Sequence, residues 1–538
     1  MLKSLRGETV DASPIEPGSA GRASPSWLWI AAAILVAAIS LAPLLVVDVP
    51  AVLDYPNHLA RFFILAHPGD PILARMYAPH WAPLPNLGMD VLGAMLLAVV
   101  PPDVGGRMLL GLSLLAPLAG TAIYARAAFG RWTWWSLGAG VVAFNAIFFL
   151  GFMNFLLALG VALAGAGAWR LSRRRRRALT ALGGALISLA AFFCHLFGFA
   201  YFAVLIVAEE GEELLKLRRE RRLGWRDALS AAAMLAAALA PTLALYALTH
   251  HANGSGDGIV WHWRAKPWQC LVPFMAYGRG TTIVTTAVVG SVLILVWRRS
   301  VLARGAALAL ALLGGLYLAA PAAAAGGTFV DTRLPLMAVL LLFAGVAPRI
   351  PGRAGAFVAI VFTLVMVGRS AEVAANWQVR ARDLADLRAG LAHVQPGSKI
   401  LPARIDWPAR GLSGGGRVLP NVAPLDDHLG ALAVIERRAF WPLLFADPTQ
   451  QPLIVTPSYA GAALPIGYVT AWRDLFVDPR TQPGKLAYLG DWRSRFDYVL
   501  VVGPKPAADD APQGLTLVSS GQAVSIYRID GRQRPSLN

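Results

Sequence analysis

The residues best placed to do chemistry follow the first long apolar run: Asp54-Tyr55-Pro56-Asn57-His58-Leu59-Ala60-Arg61-Phe62-Phe63. A carboxylate serves as a general base, a histidine as a proton carrier or hydrogen-bond donor, and a guanidinium as a partner for phosphate. Pro56 suits a helix's first turn, and the residues after it read as an amphipathic helix lying at a membrane surface. On it His58 and Arg61 are three apart and share a face, while Leu59, Phe62 and Phe63 offer an apolar side to lipid or protein. Asp54 stands just ahead of that face. The plainer reading makes Asp54 an N-cap, Arg61 a contact for lipid phosphates and His58 a satisfied interfacial side chain.

The elements that must position these residues are membrane helices. Of 538 residues 56% are apolar and 15% charged, against roughly 45–50% and about 25% in average globular chains. Long apolar runs recur from Trp27 to Ala371. That excludes a cytosolic enzyme, a disordered chain and a secreted scaffold, and two cysteines, Cys194 and Cys270, make no framework of bridges. The net charge of +17 invites a nucleic-acid reading, but its distribution does not. The densest basic stretches, Arg170 to Arg177 and Lys216 to Arg226, sit beside apolar runs and lack interleaved stacking aromatics. Short basic loops flanking spans instead follow the positive-inside rule.

A spanning helix needs about 20 apolar residues. Trp27 to Val47 reads as an uncleaved anchor entering from the cytoplasm after a polar tail over 1–26, with an outer loop over 48–86. Further spans are expected over 108–127, 133–150, 152–170, 228–248, 281–297, 301–320, 335–348 and 354–371. The run 87–102 reads as a re-entrant or interfacial helix. Residues 179–208 read as a hairpin of two half-length helices broken near His195 and Gly198, tolerable where it lines a cavity rather than lipid. The expectation is a polytopic α-helical membrane protein with about eleven crossings plus the re-entrant piece, the transmembrane part occupying 27–371. After Glu372 charges, prolines and glycines rise. Strand-like pieces at Lys399 to Leu401, Pro452 to Thr456, Tyr498 to Val502 and Ala523 to Ile529 alternate with helical patterns at Trp377 to Val394 and His428 to Ala439. This predicts an extracytoplasmic α/β domain over 372–538.

The order of parts resembles the GT-C superfamily of polyprenyl-phosphate-dependent membrane glycosyltransferases, which includes protein O-mannosyltransferases and aminoarabinose transferases. Those proteins have one span, then an outer loop with an acidic residue and a juxtamembrane helix, a short Pro-led helix, a run of spans and often an extracytoplasmic domain. Here Asp54 precedes the helix, and Pro83-Leu84-Pro85-Asn86-Leu87-Gly88 opens the short one. Gly151-Phe152-Met153-Asn154 forms an outer turn, Cys194-His195-Leu196-Phe197-Gly198 a kink, and Asp331-Thr332-Arg333-Leu334-Pro335 opens a late span. The oligosaccharyltransferase Trp-Trp-Asp-Tyr-Gly motif and the adjacent Asp-Glu pair of protein O-mannosyltransferases are absent from the sequence.

The resemblance implies transfer of a sugar from a polyprenyl-phosphate donor to an envelope lipid, glycan or protein acceptor at the outer face of a bacterial inner membrane. It assigns Asp54 the role of base. Growing charge on the departing phosphate calls for preorganised cations or donors, for which Arg333 is the first choice, with Arg61, His58 and His195 as lesser contributors. Arg333 as a snorkelling residue, His195 as an interhelical hydrogen bonder and Asp331 as a mere partner of Arg333 are the plainer readings. No cofactor is assigned. A divalent ion on Asp54 is an open alternative, since some members of the superfamily use one, though one carboxylate is a thin ligand set.

Two further groups draw attention. His250, His251, Asp257, His262, Arg264 and Lys266, with Trp261, Trp263 and Trp268, occupy an outer loop. Their spacing fits no compact zinc pattern, and they read as membrane-edge structure with some substrate contact. Asp426-Asp427-His428, Asp491 and Asp497 in the C-terminal region read as solvated surface or helix caps. The rival functions are a transporter or flippase of a lipid-linked or anionic solute, against which the lack of an internal repeat counts, and a non-catalytic envelope-assembly protein.

Overall fold

The computed structural model describes residues 26–531, apart from stretches at 174–175, 251–257, 325–326, 408–416, 420–422, 466, 468, 482–486 and 507–512. Apolar runs of this length satisfy their backbone polar groups in lipid only as helices. Helix α1 (Trp27–Leu41) starts where the Ser26 hydroxyl accepts from Trp29 N–H, and tightens into a 3-10 turn over Ala42–Leu45. Three short helices follow: α2 (Tyr55–Ala66), α3 (Leu73–Met76) and α4 (Gly88–Leu97). After the long α5 (Pro102–Phe129) come α6 (Trp134–Leu137) and α7 (Ala146–Leu150), separated by a 3-10 stretch over Gly138–Val142. The bundle continues with α8 (Met153–Ser172), α9 (Arg177–Cys194), α10 (Leu196–Arg219) and α11 (Trp225–His250). A single turn, α12 (Lys266–Gln269), precedes α13 (Arg279–Trp297), α14 (Ala306–Ala319), α15 (Leu334–Gly345) and α16 (Gly352–Leu391).

Among the described residues seven helices are long and apolar enough to cross a membrane: Trp27–Leu45 and the whole or greater part of α5, α8, α9, α11, α13 and α16. The chain is a helical membrane protein. Several segments differ from their expected form. Residues 133–150 make no continuous helix; Asn145 interrupts them, its side chain accepting from Phe148 N–H and donating to the Val142 carbonyl. The break is buried inside protein, where freed backbone groups find partners. One partner is Arg369 of α16, which donates to the Phe144 and Phe274 carbonyls. The hairpin over 179–208 breaks at His195, but its arms are full helices of 18 and 24 residues. The second arm is long because its charged end, Glu209 to Arg219, stays helical by pairing: Glu210 holds Arg173, and Glu209 holds Arg170 and Arg304. The expected spans at 301–320 and 335–348 are helices of only 14 and 12 residues, joined at one end by an antiparallel pairing of Ser300–Leu302 with Val346–Pro348.

The change of character at Glu372 falls inside α16, a helix of 40 residues. Its distal half packs on a five-stranded mixed sheet with strand order 515–520, 524–529, 498–502, 400–404, 470–471. The first three are antiparallel neighbours, and Ile400–Arg404 runs parallel to both Tyr498–Val502 and Thr470–Ala471. Gly390 gives α16 its close approach to Ile526. The strand at Leu453–Val455 lies outside this sheet and pairs antiparallel with Tyr77–Pro79 of the 48–86 segment. Tyr77, Asp70 and Asp48 add hydrogen bonds or ion pairs to Trp441, Arg438 and Arg388. The 48–86 segment and the C-terminal region are therefore built as one body over one end of the bundle.

Candidate functional site

Asp54 sits at that end, one residue before α2. Pro56 starts the helix, and the Asp54 carboxylate makes no capping hydrogen bond, so it is not consumed as an N-cap. Its backbone is held by the turn after α7: Leu53 N–H donates to the Phe149 carbonyl at 2.9 Å and Asp54 N–H to the Leu150 carbonyl at 3.2 Å. Tyr277 ties the preceding residue pair down by donating to the Ala51 carbonyl. The turn closes on Gly151 at φ 90°, and a Cβ there would lie 2.8 Å from that of Asp54. Only glycine meets both demands without strain.

Three groups bear on the carboxylate. His428, from the C-terminal region, brings Nε2 to 3.6 Å from Asp54 Oδ1. Arg61 and Arg333 lie within Coulombic reach. Burial nevertheless wins, pushing the Asp54 carboxyl up to about 7 against the pull of the two guanidinia.

The two arginines differ in what they already hold. Arg61 is 2% exposed and clamps the fully buried Asp90 of α4 through Nε at 2.5 Å and Nη2 at 3.1 Å. Nη2 also donates to His58 Nδ1 at 3.1 Å. That bond leaves the proton of a neutral His58 on Nε2, which bonds the Gly151 backbone. Burial, with Arg61 and His428 adding to it, holds His58 well below the usual histidine range, so it is neutral. Arg61 and His58 thus fasten α2 to α4 and to the Gly151 turn, and although Arg61 Nη1 is buried without a partner, the charge of Arg61 is already matched by Asp90.

Arg333 is different. Its guanidinium carbon stands 4.7 Å from the Phe152 ring centroid, 5.0 Å from Phe197 and 5.9 Å from Phe155. Among the described residues no carboxylate or carbonyl is in hydrogen-bond contact with it, and its Nε is buried without a partner. Burial lowers its pKa to about 10, with Asp54 opposing, so it is a cation at neutral pH. Asp331 does not pair with it. Asp331 binds Lys266 at 3.2 Å, and Lys266 also donates to the Tyr317 and Ala320 carbonyls. His195 lies beside Arg333, its ring against Phe155 and Phe197; its Nδ1 accepts from Phe197 N–H and starts α10.

From the Arg333 cage an apolar groove runs between α10, α14 and α15. It encloses about 230 Å³, begins at Phe197 and Leu334, and passes Tyr201, Leu313, Leu316 and Met337. Leu316 is exposed on the bundle's outside, so the groove has an apolar outlet.

Sequence reasoning missed several members. Asn154 of the outer turn caps α4, its Oδ1 accepting from Met89 N–H and its Nδ2 donating to the Asn86 carbonyl, both at 2.7 Å. Asp90 lies in an apolar ten-residue helix, where a lone carboxylate signals a partner. His428 and Asn57 meet across 371 residues, with no local signal. Asp426 and Asp427 are structural: both pair with Arg404, and Asp426 faces Arg380. Asp497 accepts from Lys399 N–H at a strand edge. In the outer loop Trp261 and Trp263 stack at 5.1 Å and Trp268 is exposed; His251 and Asp257 lie outside the described residues.

The donor set at Asp54 does not fit a divalent ion. Among the described residues Asp54 is the one carboxylate there, and the His428 imidazole turns an N–H toward it rather than a lone pair, as the bond from Asn57 to His428 Nδ1 requires. No protein-family model, curated protein or solved structure matches this chain.

Proposed function

We propose that the protein is a membrane glycosyltransferase of the GT-C type, moving a sugar from a polyprenyl-phosphate donor to an envelope lipid, glycan or protein acceptor. The carrying observation is that Asp54 and the uncommitted Arg333 lie within Coulombic reach of each other, and that Phe197, which packs against the Arg333 guanidinium, and Leu334 line an apolar groove. In this reading the groove takes the part of the prenyl chain next to the phosphate, and the phosphate meets the guanidinium, whose fork matches phosphate oxygens in pairs. The acceptor hydroxyl attacks the anomeric carbon while Asp54 takes its proton. The anomeric C–O bond to phosphate breaks with its electron pair, and Arg333 stabilises the charge gathering on the departing phosphate. Asp54 then returns the proton to solvent.

In this reading about eleven passages cross a bacterial inner membrane. Arg126, Arg131, Arg170, Arg173, Arg298, Arg299, Arg349 and Arg353 belong to segment ends opposite the site, which by the positive-inside rule supports an N-terminus in the cytoplasm and a site outside. The test is binding of a polyprenyl phosphate to the protein in nanodiscs. Wild type should bind, and Arg333→Met should bind weakly; equal binding by both would exclude Arg333 as the phosphate contact.

A further inference from the structure

The C-terminal region reaches into the bundle at one point that touches the candidate base, and this contact is constructed rather than incidental. Asn57 is fully buried on the first turn of α2. Its Nδ2 donates to the Leu443 carbonyl at 3.1 Å, which fixes which end of the amide is nitrogen. The same Nδ2 lies 2.8 Å from His428 Nδ1. An amide nitrogen only donates, so Nδ1 accepts and the ring proton is on Nε2. Nε2 is the atom 3.6 Å from Asp54 Oδ1. Phe445 packs edge-on to both His428 and His58, which sets the plane of the His428 ring.

We propose that His428 is a positioning residue for Asp54: held by Asn57 as the Nε2–H tautomer, it donates to Oδ1 and leaves Oδ2 as the basic oxygen. This deepens the transferase reading and rests on it for the reaction served. The present separation is longer than a hydrogen bond, and such contacts often close only when substrate is bound. The consequence is that the C-terminal region is part of the site, because without it the carboxylate loses this neutral donor. The other groups facing Asp54 are Arg61 from α2 and Arg333 from the turn before α15; the Phe149–Gly151 turn meets it through backbone. Burial holds His428 down at about 4, so it acts as a neutral donor across the working range.

The experiment is an infrared pH titration of the full chain in nanodiscs, following the protonated-carboxyl band that Asp54→Asn removes. His428→Phe keeps the ring packing and deletes the donor. His428→Gln restores an N–H donor on a side chain of similar reach. The Asp54 midpoint should rise in His428→Phe by about half a unit, roughly a threefold fall in the ionised-to-protonated ratio at a given pH, and return to the wild-type value in His428→Gln. An unmoved midpoint in His428→Phe, or an equal rise in both variants, overturns the role of His428. The titration needs no turnover. A shift with no transfer from any donor upholds the positioning role and contradicts the transferase, whereas transfer with no shift does the reverse.

Discussion

Asp54 and Gly151 are packed backbone to backbone: a methyl group built on the glycine would come within 2.9 Å of the aspartate nitrogen, at a residue already turned to φ 90°. The candidate base is placed by a turn about a hundred residues downstream that has room for no side chain. Gly151→Ala should therefore cost about 1–3 kcal/mol of stability, from the left-handed backbone and the clash together. It should also displace Asp54, so that turnover falls further than the loss of folded protein explains. Thermal unfolding alongside activity per folded molecule checks this.

The raised carboxyl of Asp54 gives a pH signature. In the proposed transfer the base works ionised, so kcat/KM should climb through a midpoint near 7 and level off above it. Stability runs the other way. With the folded-state pKa raised from 3.8 to about 7, the unfolded chain ionises first. The contribution is present below pH 4 and lost as pH rises towards 7. Asp54→Asn should accordingly gain melting temperature relative to wild type at pH 8 but not at pH 4.

Arg333 should show the opposite of a structural arginine. Arg333 is half-buried and its Nε is shut away from any hydrogen-bond partner, which costs stability, so Arg333→Met should melt higher than wild type. The same change should weaken polyprenyl-phosphate binding by about 10–100-fold, the worth of one or two charge-assisted hydrogen bonds. Arg333→Lys keeps the charge but not the fork and should fall between them. Calorimetry and binding on the three proteins separate these effects.

Arg61 and Asp90 should behave as a pair. Removing either partner leaves a buried charge, so Arg61→Leu and Asp90→Leu should each cost about 3–5 kcal/mol, while the double variant recovers most of that loss. If Arg61 instead bound phosphate, Asp90→Leu would strengthen donor binding by releasing it. A double-mutant cycle on stability and on donor binding distinguishes the two.

How much of this was legible in the sequence follows from the range of each interaction. The helix break at His195 was readable because histidine and glycine interrupt one apolar run, and Asp54 because it stands where an apolar run gives way to an amphipathic one. The partners were not. Arg61 reads as a surface cation until Asp90, 29 residues on, takes it. Asp331 looks paired with Arg333 by proximity, yet Lys266 holds it from 65 residues away. His428 sat in a segment that looked like a solvated cap, because the contact with Asn57 depends on how the C-terminal region docks. The continuity of α16 was hidden for a related reason: polarity rises at Glu372 because the helix leaves its apolar surroundings, not because it ends.

The central claim is tested most directly by turnover of a panel of polyprenyl-phosphate sugars by the purified protein in lipid, wild type against Asp54→Asn. The account predicts release of polyprenyl phosphate from at least one donor by wild type, and a fall of about 10²–10⁴-fold in Asp54→Asn. Turnover that survives Asp54→Asn undiminished, or donor binding with no turnover of any member of the panel, would contradict it.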